Sequence, residues 1–297
     1  MRNFLLVLFI LASQLVFSQS FRKKLELGVV IGTTHCLCDV SGNSFIKKDL
    51  GAISDFQYLQ AGLAAGTTLR YQFSRLLAIR GNINYAQARG NDSQSNEVGN
   101  KGRNLSFATN IYEVTSTLEF PLIFQSSAVS RYVKSKRGRN ESKFYGFLGI
   151  GFLYFNPTAT YKGAVYDLQP LATEGVKYSK YTLSIPAGLG YSYSWARKYK
   201  VAIEIGFRKI FTDYIDDISD KYIEPAVLRQ NNPGNGDIAV ALANRATEGG
   251  DPFKEGYGNY LPGQKRGNPK NNDFLIISTV QFNYILNAKR RSHRAKF

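Results

Sequence analysis

Residues 201–219 read VAIEIGFRKIFTDYIDDIS. Val201, Ile203, Ile205 and Phe207 share one parity; Ala202, Glu204, Gly206 and Arg208 share the other. Successive side chains of a strand point to opposite faces, so this row has one greasy face and one polar face. Seven further segments carry the same period-two alternation or a β-rich composition: 23–33, 59–73, 75–89, 105–124, 143–155, 180–195 and 273–286. No long amphipathic helix is legible between them. Soluble strands usually run about five or six residues, whereas a tilted membrane-spanning strand needs about 9–11. All eight segments reach the longer length.

The connections alternate as well. They are short after the second and sixth strands, at Ser74 and at 196–199, and a basic stretch follows the fourth. They are long after the first, third, fifth and seventh, at 34–58, 90–104, 156–179 and 212–272. Short turns on one side and long loops on the other predict an all-β fold: an eight-stranded antiparallel transmembrane β-barrel with long extracellular loops and short periplasmic turns. An even strand count brings both termini to the short-turn side.

Parity then assigns faces. In 180–195, Leu183, Ile185 and Leu189 share a row with Tyr181, Tyr191, Tyr193 and Trp195 near its ends, as an interfacial girdle requires. The opposite parity sends Glu26, Arg70, Arg80, Glu113, Glu119, Glu204 and Arg208 into the lumen. Eight strands leave an interior just wide enough to be filled by side chains. Buried charges persist when paired, so these seven predict an ion-pair core and a closed lumen. A lipocalin-type soluble barrel would bury the apolar face and expose the polar one, the reverse of this arrangement.

The first residues, MRNFLLVLFILASQLVFSQS, carry Arg2, an apolar core and then small polar residues, the pattern of a signal peptide ending at Ser18. The barrel is then expected over 19–297, with an outer loop at 212–272 and a basic tail at 287–297. Export bears on the net charge of +16: it argues against a nucleic-acid partner, the usual reading of such a surplus. The excess collects at Arg131, Lys134, Lys136, Arg137 and Arg139, and at Lys289, Arg290, Arg291, Arg294 and Lys296. Both groups fall on the predicted periplasmic side and suit an acidic partner or an anionic surface.

Candidate chemistry is sparse. The only histidines are His35 and His293. His35, Cys36 and Cys38 could hold a soft metal, but three ligands on one loop fall short of the usual spacing, and a one-residue gap disfavours a mutual disulfide. Asp213, Asp216, Asp217 and Asp220 could offer oxygen ligands to a divalent cation, though without the spacing or glycine of a calcium loop. YDLQPLATEG (166–175) reads as an ordered loop turned by Pro170 and Gly175. Nothing here assembles a nucleophile with its base, so no enzyme activity, cofactor or small-molecule substrate is expected.

Several segments, EIGFRKIFTDYIDDIS, YKGAVYDLQPLATEG, LANRA (242–246), KRGNPKNNDFLIISTVQFNYIL and LELGVVIGTTHCLCDVSG, resemble in order the PorG-type outer-membrane barrel of the bacterial type IX secretion system. The sequence departs from that pattern at HCLCDV. The resemblance implies an integral outer-membrane protein in contact with membrane lipid. It also implies a role in protein export, tying a periplasmic ring, built from a lipoprotein and its partner, to the membrane. The basic residues at 131–139 and 289–294 are then the expected docking sites.

Overall fold

The computed structural model describes residues 24–40, 60–74, 76–95, 98–126, 141–196, 198–246, 260–269 and 272–286. The signal segment, the basic stretch Arg131–Arg139 and the tail from Lys289 onward therefore lie outside the described residues.

The described residues hold nine strands: β1 (Lys24–Leu37), β2 (Gly62–Gln72), β3 (Ala78–Asn91), β4 (Ser106–Ser126), β5 (Glu141–Tyr161), β6 (Ala164–Asp167), β7 (Tyr181–Trp195), β8 (Tyr199–Ile210) and β9 (Phe274–Ile285). Eight of them close an antiparallel barrel, because β1 pairs with both β2 and β9, and β4 pairs with β5. Closure removes every edge of the eight-stranded ring. The ninth strand, β6, folds back on the end of β5 and extends that hairpin beyond the barrel. The architecture is the eight-stranded antiparallel barrel that the alternation predicts.

Local chemistry sets the irregularities. The short β2–β3 turn is tied by Ser74, whose Oγ accepts from the N–H groups of Leu76 and Leu77 at 3.1 and 2.9 Å. The β4–β5 register shifts between Pro121 and Ile123. The β5–β7 ladder skips the residues opposite Pro186, which has no N–H to give. No described helix is long and apolar enough to cross a membrane.

The outer wall is apolar. Ile203, Ile205, Phe207, Leu183, Leu189, Val114, Leu118 and Ile150 are all exposed. Two aromatic rows bound this wall. Toward the long loops, register places Tyr85, Tyr112, Tyr154 and Tyr181 side by side across four strands. Toward the short turns, Trp195, Tyr199 and Tyr284 are paired neighbours. From Tyr181 to Trp195, at about 3.3 Å per residue and a tilt of about 40°, the two rows stand roughly 35 Å apart, enough to frame an outer-membrane apolar band of about 25 Å.

The interior is layered. Charged and amide side chains fill the short-turn half. Above them Phe107, Ile111, Leu153, Phe155, Ile210, Leu275 and Ile277 form one buried apolar layer, continuous with the loops over the barrel mouth. Those loops make a folded outer cap. Its described residues include four short α-helices, α1 (Val98–Arg103), α2 (Leu168–Leu171), α3 (Pro225–Asn231) and α4 (Gly236–Ala243), with Leu168, Leu171, Ile215, Ile218, Leu228 and Leu242 buried in the same core. The segment 212–272 is thus partly helical, which its sequence does not announce, because helices this short carry little periodicity.

Candidate functional site: a charged lumen and an acidic outer cap

All seven lumen charges assigned by parity are inside, and the structure joins them. Arg70 bridges Glu26 at 2.9 Å and Glu119 at 2.6 Å. Arg80 reaches Glu119 at 3.2 Å and grips Glu204 with both terminal nitrogens. Arg208 meets Glu113 at 3.2 Å, and Ser184 Oγ donates to the same carboxylate at 2.8 Å. One member escaped the sequence reading: Lys200 donates to Glu26 at 3.1 Å. It shares the parity of Glu204 and Arg208, so the signal was present at the strand's first turn. With Lys200, four acids face four bases in this network, and Lys143 of β5 adds a further cation beside Arg70 and Lys200.

Packing around these charges is close. Phe147 lies under the Arg80 guanidinium at 5.2 Å, a cation–π arrangement. It fits because β7 and β8 present Gly188 and Gly206, where a side-chain carbon would meet its ring at 2.6 and 3.2 Å. The cavity beside Arg80 and Glu204 measures about 30 Å³, the share of a single water.

The outer cap treats its charges otherwise. The four aspartates singled out in the sequence separate. Asp217 is fully served: Tyr178 OH donates to it at 2.6 Å, Thr173 Oγ1 donates to its other oxygen, and Arg266 stands 3.9 Å away. Asp220 is exposed at its side chain, while its carbonyl accepts from Arg266 and Gly267 N–H at 2.7 and 3.1 Å. Asp213 and Asp216 are buried and converge with two acids the sequence reading did not select, Asp39 and Asp273. Asp216 accepts from the N–H groups of Val40 and Ile218, and Asp273 from that of Ile215.

Burial first, then mutual repulsion, pushes these carboxyls up: Asp213 to about 9 and Asp216 to about 8, with Asp273 well above the usual carboxylate range. Burial also raises Asp217 to about 6, where Arg266 and two hydroxyl donors hold it down against the rest.

Around them runs a polar knot built on two arginines. Arg266 pairs with Glu174 at 2.9 Å and donates to the Asp217 and Ala243 carbonyls. Arg103 grips Asp92 at 2.7 Å and donates to the Asp39 and Arg266 carbonyls. Glu174 caps the N–H groups of Ser219 and Asp220 at 3.0 Å. These residues come from six separate stretches of the chain, a convergence invisible to local reading.

The cysteines correct an expectation. Cys36 and Cys38 form a disulfide with Cα atoms 5.4 Å apart: the strand ends there, and the chain bends enough to bring the two side chains to one side. Their sulfurs are thus tied to each other, which removes the His35–Cys36–Cys38 thiolate set for a soft metal. His35 is the half-buried residue before them on β1.

A family model described as "Domain of unknown function (DUF6089)" matches residues 1–242. No curated protein matches the chain. Similar solved structures include neisserial surface protein A at 6% identity, covering 88% of this chain and 96% of that one, with a TM-score of 0.35. The N-terminal β-barrel domain of Pseudomonas aeruginosa OprF is 6% identical, covering 88% and 99%, with a TM-score of 0.32. The Yersinia pestis attachment invasion locus protein Ail is 10% identical, covering 89% and 97%, with a TM-score of 0.31. At these scores the likenesses add nothing to the barrel already read from strand pairing.

Proposed function

This chain belongs to the DUF6089 family, and from that premise we propose that it is a non-enzymatic outer-membrane component of the type IX protein secretion machinery that anchors a periplasmic ring complex. One observation carries the reading. Segments that resemble the PorG-type barrel meet in a single place, at Arg266 of KRGNP, which pairs with Glu174 of LQPLATEG and donates to the Asp217 carbonyl of TDYIDDIS and the Ala243 carbonyl of LANRA. The loop part of the resemblance is therefore to one built unit, the outer cap. The exposed apolar belt with its aromatic borders supports an outer-membrane location, and the lumen filled by ion pairs supports an anchor over a pore.

The ring docks from the periplasm. The strand ends flanking 127–140, Ser126 of β4 and Glu141 of β5, lie at the short-turn end, as does Ile285 before the tail. Replacing Arg131, Lys134, Lys136, Arg137 and Arg139 by Gln, and separately Lys289, Arg290, Arg291 and Arg294, tests this. With the barrel still inserted, the ring lipoprotein recovered on a tagged barrel should fall several-fold. Unchanged recovery in both variants overturns the docking assignment.

A second reading, a structural or adhesive barrel acting through its outer loops, draws on a groove of about 620 Å³ in the cap, lined by Val176, Tyr214, Ile223, Val227 and Pro262. Replacing Val176 and Val227 by Ser should leave export intact under the first reading and abolish surface attachment under the second.

A further inference from the structure

We propose that Asp216 and Asp273 hold a proton between them at neutral pH, and that this proton latches the outer cap shut. Three stretches of chain meet at the pair: the residues after β1, the turn after β8 and the entry to β9. Asp216 accepts from the N–H of Val40 at 2.8 Å through one oxygen and from that of Ile218 at 3.1 Å through the other. Asp273 accepts from the N–H of Ile215 at 2.9 Å. The two carboxyls thus pin both outer stretches to the turn 212–218.

One oxygen of Asp216 and one of Asp273 lie within 4.8 Å of each other, and each residue is only 2% exposed. Val40, Ile215 and Ile218 are buried around them, and the Cys38 sulfur beside them is held in its disulfide. Two negative charges this close in an apolar interior cannot both stand, so one carboxyl keeps its proton. Asp216 spends both oxygens on N–H donors, which favour its charged form, so the proton resides on Asp273.

Neighbouring charges reinforce this. Asp39 and Asp213 add negative charge to the pair. Among the described residues no Lys or Arg forms an ion pair with Asp216 or Asp273. Arg103 of α1 attracts Asp216 but grips Asp92; Arg266 serves Glu174 and Asp217; Lys265 and Glu174 act on Asp39 with opposite signs. Burial and the neighbouring aspartates raise Asp273 well above the usual carboxylate range, whereas an aspartate of the open chain releases its proton at about pH 4. Between those limits the closed cap binds one proton more than the open cap. Opening should therefore grow by about tenfold per pH unit on account of this proton.

The test is trypsin digestion of the folded full chain in detergent micelles from about pH 6 to about pH 8, scaled at each pH to digestion of the urea-unfolded chain. Cleavage is read at Lys221 and Arg229, exposed in the cap. It should rise with pH in the wild-type chain. In Asp273→Asn, whose amide faces Asp216 without needing a proton, it should rise by about tenfold less per pH unit. Asp167→Asn, at an exposed acid of β6, should keep the wild-type slope. Heat-modifiable gel migration reports folding; if Asp273→Asn does not fold, Asp273→Ser takes its place. Cleavage of the wild-type chain that does not change with pH would overturn the proposal. So would the wild-type slope in the folded Asp273 variant.

Discussion

The lumen and the outer cap hold the same kinds of residue and handle them in opposite ways. In the lumen every acid meets a base: Glu26 has Arg70 and Lys200, Glu119 has Arg70 and Arg80, Glu204 has Arg80, and Glu113 has Arg208. In the cap, Asp39, Asp213, Asp216 and Asp273 crowd together while the arginines serve other partners. An apolar layer of Ile111, Leu153, Phe155 and Ile277 separates the two. A closed charge network is what a plug requires. A surplus of buried acid is what a plug avoids, and it marks the cap as the region with a chemical task left open.

The comparison breaks most visibly at Arg80. Arg80→Ala leaves Glu204 without a cation in a dry interior, and Glu119 with Arg70 alone, and should cost about 3–5 kcal/mol. Unfolding in lipid vesicles, followed through the lone tryptophan, Trp195, measures it; a loss under about 1 kcal/mol would mean that the pairs are solvated. The next largest effect tests the wall around the lumen. Ile203→Arg in mid-belt should cost about 2–4 kcal/mol, while Val176→Arg in the cap should stay within about 0.5 kcal/mol.

Neutralising single acids should then give opposite signs. Glu119→Gln lowers stability by about 2 kcal/mol, because two charged donors lose their carboxylate. Asp273→Asn raises it by about 1 kcal/mol at neutral pH, because the fold holds this buried carboxyl protonated against its ordinary pKa and an amide needs no proton. The same sign at both sites would erase the distinction. The smallest effect is expected at Lys200→Met: Glu26 keeps Arg70, so the loss should be about 1 kcal/mol in the same unfolding assay.

The barrel was legible because period two is a strong and local signal. Val201, Ile203, Ile205 and Phe207 name the lipid face, and Glu204 and Arg208 the lumen, before any coordinates. Lys200 follows the same rule and was lost only because it stands at the second residue of β8, where strand ends blur. The cap was not legible. Asp39 Oδ2 accepts from the N–H of Asn268, 229 positions away, and no periodicity links such residues. Helices of four to eight residues and the β6 hairpin likewise take their stability from packing over the barrel mouth. The sequence pointed to the right acidic stretch, but only two of its four aspartates join the cluster.

The most direct test of a role in secretion is the export of native type IX cargo from a clean deletion strain, with the barrel restored from a plasmid. The expected result is cargo held in the periplasm and released to the outside again on complementation. Normal export in the deletion strain would contradict the assignment and leave an outer-membrane-type barrel whose work is done by its outer loops.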